Sequence, residues 1–99
     1  MILSWFDAKA AVDFGHSLAD FYDEQSRLNA KASNQKIADK QQKLVAQLLL
    51  KARQFNAAHK LNAYQKAKLG NAFKWKLHDL DHDAELVDVL TKDLMIALR

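Results

Sequence analysis

The stretch from Asn34 to His59 keeps one helical period over its whole length, and this constrains the fold more than any other feature of the chain. At about 100° per residue, Ile37, Leu44, Val45, Leu48, Leu49, Ala52 and Phe55 project onto one arc of roughly 140°. Lys36, Lys40, Lys43 and Lys51, with Gln47 and Gln54 between them, fall within about 80° of one another on the other side. A helix that is apolar on one face and lysine–glutamine on the other must bury its apolar face against further elements.

Those further elements also have to be helices. The chain has no proline and only two glycines, so it lacks the turn residues on which hairpins and Greek keys depend. At 99 residues it is the size of one domain, residues 1–99, able to form a single modest core. The expected product is all-α, a small antiparallel bundle of about four helices, or three if the central segment is one long helix.

Helix boundaries follow from capping chemistry. Ser4-Trp5-Phe6-Asp7 resembles a capping box, which predicts a first helix from Trp5 to about Leu28. Its apolar arc holds Ala8, Ala11, Phe14, Gly15, Leu18, Ala19, Phe21 and Tyr22. Ala11, Gly15 and Ala19 stack on that arc as a seam of small residues that lets another backbone come close. Ser33 or Asn34 suits the N-cap of the second helix. Asn62 would cap a third helix containing Tyr64, Leu69, Phe73, Leu77 and Leu80, with Gly70 internal; in the alternative, the second helix continues to Leu69 and Gly70-Asn71 is the turn. Asp81 is the expected cap of the last helix, with Asp83 and Glu85 in its first turn. Leu86, Val87, Leu90, Leu94, Ala97 and Leu98 would form its buried stripe, with Val89 and Ile96 off it.

Charge divides the chain into three. Residues 1–24 carry five acids against Lys9, a net −4; residues 25–76 carry twelve lysines or arginines against Asp39, a net +11; residues 77–99 carry six acids against Lys92 and Arg99, a net −4. An acidic head, a basic middle and an acidic tail are suited to pairing within a chain or between chains.

Catalytic signatures are missing from the sequence. It contains no glycine-rich phosphate loop, no Gly-x-Ser-x-Gly and no His-Glu-x-x-His. Ser17 beside His16 is no dyad, because neighbours on a helix point about 100° apart. Without cysteine there is no thiolate metal site, no disulfide and no cysteine nucleophile. His78 and His82 are four apart and could share an ion on a continuous helix, but the surrounding aspartates also read as a helix end followed by a cap. No catalytic residue, metal ligand or cofactor is expected, and the chain reads as a non-enzyme. No apolar run approaches the roughly 20 residues of a membrane-spanning helix, and Met1 to Asp7 has no signal-peptide character, so the expected location is cytoplasmic.

Two readings of function remain. In the first, large apolar side chains left at the surface bind a protein partner or a second copy of the chain: Trp5, Phe6, Leu50 at the border of the lysine stripe, and Trp75. In the second, Lys36, Lys40, Lys43 and Lys51 bind nucleic acid without sequence preference, with Trp75 stacking on bases. The scarcity of arginine weighs against sequence-specific recognition. No small-molecule substrate suggests itself.

Overall fold

A computed structural model describes residues 7–31 and 34–99, with Asn34 and Gln35 described in backbone only. The described residues form four helices and no strand: α1, Lys9–Asn29; α2, Asn34–His59; α3, Ala63–Asp79; and α4, Ala84–Ala97. None is long and apolar enough to cross a membrane. The protein is an all-α bundle, as the absence of turn residues predicts.

Two of the three helix joints use residues other than glycine in the left-handed region. α2 stops where Lys60 turns to φ 50° and its N–H reaches Asn56 O at 2.7 Å. Asn62 then caps α3: its side chain accepts from Gln65 N at 2.8 Å, while Gln65 Oε1 accepts from Asn62 N at 3.0 Å. This reciprocal capping box settles the central segment as two helices with Gly70 inside the second. α3 ends in a Schellman motif. Asp81 takes φ 65°, its N–H bonds His78 O at 3.0 Å, and His82 N–H bonds Leu77 O at 3.1 Å.

Asp81 therefore closes α3 and does not open α4. The N-cap of α4 is Asp83, whose side chain accepts from Leu86 N at 3.1 Å. Both aspartates suit an N-cap, and the left-handed turn at Asp81 decides between them. Among the described residues the first helix starts at Lys9, later than the capping sequence at Ser4 suggests. Asp7 and Ala8 are not helical, and Asp7 Oδ1 accepts from Lys9 N at 3.3 Å, a local bond that competes with helix. Ser4, Trp5, Phe6 and Ser33 lie outside the described residues.

Consecutive helices alternate in direction, but chain order is not packing order. α1 packs on α3 and α2, and α4 packs on α3 and α2; among the described residues the backbones of α1 and α4, and of α2 and α3, stay apart across the core. Around the bundle the order is α1, α3, α4, α2. Phe14 meets Phe55, Phe21 meets Lys51 and Asn29 meets Gln41, so α1 and α2 are antiparallel. Asp7 meets Gln65, Asp20 meets Lys76 and Asp23 meets His82, so α1 and α3 run parallel. Met95 faces Gly70 and Asp88 faces Lys74, so α4 runs against α3 and hence along α2.

The core holds Ala11, Leu18, Ala19 and Tyr22 of α1, Leu44, Leu48 and Ala52 of α2, Leu69, Phe73 and Leu77 of α3, and Val87, Leu90, Leu94 and Leu98 around α4. The small-residue seam on α1 does what its spacing predicts. A Cβ placed on Gly15 would lie 2.5 Å from Leu69 O and 2.9 Å from Ala72 Cβ, so α3 backbone occupies the space a side chain would need. On α2 burial is narrower than its arc. Leu44, Leu48 and Ala52 are buried, whereas Ile37, Val45, Leu49 and Phe55 are only half-buried. α2 is about 39 Å long and α4 about 21 Å, so α4 cannot cover all of it.

Candidate functional site

The candidate surfaces follow from what this packing leaves uncovered. On α4, Val87, Leu90, Leu94 and Leu98 point inward, and Met95 and Asp88 face α3. Leu86, Val89 and Ile96 project off that inward arc, away from the flank of Met95 and Asp88, and are 38%, 57% and 49% exposed. The exposure of Val89 and Ile96 follows from their place off the stripe. Leu86 was expected in the stripe; it lies at the edge of the arc set by Val87, Leu90 and Leu94, so the neighbouring Val87 is buried and Leu86 is not.

Leu50 and Trp75 are 52% and 59% exposed. They do not form one patch, because α2 and α3 lie diagonally across the bundle. Trp75 shares a shallow groove between α1 and α3 with Val12, His16, Lys68 and Asn71, and its ring tilts against His78 at 5.5 Å. Trp5 and Phe6, the other expected anchors, lie outside the described residues. Leu28, 52% exposed, is a large apolar surface residue that sequence reasoning passed over. Its spacing of seven from Phe21 and fourteen from Phe14 places it on the same side of α1 and was the available signal.

The lysine stripe runs beside α1. Lys36, Lys40, Lys43 and Lys51 are exposed, and among the described residues none of them pairs with an acid. Lys51 instead sits 4.8 Å over the ring of Phe21. Between the two helices lies an open groove of about 560 Å³, lined by Phe14, Ser17, Phe21, Lys51, Gln54 and Phe55; Phe14 and Phe55 stack at 4.0 Å. Farther along, Lys40, Lys43 and Gln47 flank Gln25 and Asn29.

His78 and His82 are not on one continuous helix, since α3 ends at Asp79. His82 Nε2 instead lies 2.8 Å from Asp23 Oδ1, and Arg27 Nε donates to Asp23 Oδ2 at 3.1 Å. Burial pushes the Asp23 carboxyl up, but the hydrogen bonds and positive charges of His82 and Arg27 outweigh it, and its pKa is lowered from 3.8. The edge of the Tyr22 ring meets His82 at 5.5 Å. This cluster joins the end of α3 to α1 across 59 positions of sequence, a distance no local pattern reveals. Among the described residues, no group of three or more histidines, cysteines or acids is placed to hold a metal ion.

Compared with known proteins, the chain matches no family model, no curated protein and no solved structure.

Proposed function

We propose that this chain is a non-enzymatic helical module that works by binding another protein. The observation that carries the reading is the outer flank of α4, where Leu86, Val89 and Ile96 are exposed together on one side of a 14-residue helix. Single exposed leucines are ordinary, but three large apolar side chains on one short helix make a patch of the kind that interfaces use. Leu50 and Trp75 add two anchors elsewhere on the surface.

A photo-crosslinking side chain placed at Val89 or Ile96 in the living cell tests this. Discrete protein adducts are expected from both positions and none from Glu24, which is exposed on α1. If Val89 and Ile96 give no more adduct than Glu24, the reading fails.

A second reading is favoured by one observation, the absence of acid partners for Lys36, Lys40, Lys43 and Lys51 among the described residues. Here the stripe binds nucleic acid through phosphate. Anisotropy of labelled random RNA and duplex DNA at about 50 and 200 mM salt measures it. Binding that weakens steeply with salt, and is lost when the four lysines become glutamine, would put this reading first.

A further inference from the structure

The lysine stripe and the acidic start of α4 fit each other in charge and in height, yet they lie on different sides of α2. Residues 77–99 carry six acids against Lys92 and Arg99, and of these Asp83, Glu85 and Asp93 are close to Leu86 and Val89 along the chain, whereas Asp88 faces Lys74. The stripe on α2 has its lysines unpaired among the described residues, with Leu28 and Leu50 exposed at its borders.

One hydrogen bond fixes how the two helices stand side by side. Asn56 Nδ2 donates to Leu98 O at 3.2 Å. Because α2 and α4 are parallel and rise equally, each position on α2 lies about level with the position 42 later on α4. Lys43 is then level with Glu85, Lys51 with Asp93, and Lys40 within one residue of Asp83. Within one molecule these pairs cannot form, because the lysines line the α1 side of α2 and α4 lies on the other side. Leu50 projects between the two sides, pointing away from the core.

A surface with complementary halves at matched heights, on either side of one apolar residue, is self-complementary about a two-fold axis running along the helices. We infer that two copies of this chain pair in this way, deepening the protein-binding reading on which the inference rests. Leu50 packs against Leu50 of the second copy, and the lysines of each α2 lie against Asp83, Glu85 and Asp93 of the other. Reciprocity also answers the question of size. One face of α4 is only about 21 Å by 10 Å, far below the roughly 800 Å² that each partner gives to a standard interface. Using it twice, with α2 between, enlarges the contact, and the result is a weak dimer sensitive to salt.

Light scattering on the purified full chain from about 5 to 500 µM tests this, at about 50 and 300 mM salt. The expected mass rises toward twice 11.3 kDa at low salt, with dissociation about tenfold weaker-bound at high salt. Leu50→Asp should be monomeric, with the parent's thermal midpoint when both are melted at a concentration too low for pairing. Lys43→Glu and Glu85→Lys should each loosen the dimer about tenfold, and the two together should restore it. As the chain has no cysteine, Leu50→Cys should form a disulfide dimer on mild oxidation, whereas Trp75→Cys should not. A monomer at every concentration and salt overturns the inference, as does a charge-swapped double variant no tighter than its parents, or a mass that grows past the dimer. Monomeric protein that still gives crosslinked adducts at Val89 with other proteins would end self-pairing and leave the broader reading standing. Monomeric protein that binds RNA through the stripe would assign the lysines to phosphate.

Discussion

α1 and α2 are both long amphipathic helices, and they are held by different means. α1 meets α3 at Gly15, where α3 backbone fills the space of a side chain, and is tied to it by Gln65, Lys76 and His82. α2 rests on α1 through a phenylalanine stack, a lysine over a ring and a small amide network in which Asn29 donates to Gln41 and Gln41 donates to Ser26. At Gly15 the first joint has no room for a Cβ, whereas the second is made of side-chain ends that can move. A wide apolar arc shows only that a helix is buried; the size of the residues at its centre determines how closely it is buried.

The largest expected effect follows from that contrast. Gly15→Val drives a side chain into Leu69 O and should cost at least about 3 kcal/mol, seen as loss of the cooperative thermal transition. Next come the cores of the two joints. Leu77→Ala on α3 and Leu48→Ala on α2 should each cost about 2–5 kcal/mol, whereas Ile37→Ala, half-buried on the uncovered part of α2, should cost less than about 1 kcal/mol by urea unfolding. If Ile37→Ala matched Leu48→Ala, α2 would be covered along its whole length.

Smaller effects test the polar ties. Asn62→Ala removes the capping box of α3 and should cost about 1 kcal/mol, with Asn62→Ser recovering most of it. Asp23 has a lowered pKa in the fold, so its contribution to stability is present above about pH 4 and is lost as pH falls through the folded value. Melting from about pH 6 down to pH 2 should therefore show a shallower acid limb in Asp23→Asn than in the parent. Gly70→Ala should have the smallest effect of all. A Cβ there meets the side chain of Met95, flexible enough to move aside, while alanine favours the helix by up to about 1 kcal/mol; the melting temperature should be unchanged or slightly raised. Opposite responses at the two glycines would make the comparison quantitative.

Much of this was legible from periodicity and capping. The buried residues of α1 and the exposure of Leu50, Val89 and Ile96 follow from about 100° per residue, whereas the cap at Asn62 with Gly70 internal is one of two readings the sequence allows, and the capping box decides between them. What was not legible depends on which helices are neighbours. Asp81 and Asp83 are equivalent as local caps, and only the closing turn of α3 separates them. The His82–Asp23 contact and the parallel pairing of α1 with α3 join residues more than 50 positions apart, for which a single sequence has no local signal. The candidate surfaces divide in the same way. Each exposed side chain can be read from its own helix, but the matched heights of Lys43 and Glu85 emerge only once α2 and α4 are side by side.

The pairing of the first helix with the third also has a consequence in time. Leu69, whose carbonyl fills the space beside Gly15, is synthesised 54 residues after it. At about 5–20 residues per second, α1 waits roughly 3–10 s for its closest neighbour. During that interval α2 can fold back on α1 through its phenylalanine and amide contacts, while the strip of alanine and glycine stays open. The looser joint is the one available first, and the tight one can form only later, with α4 still to come.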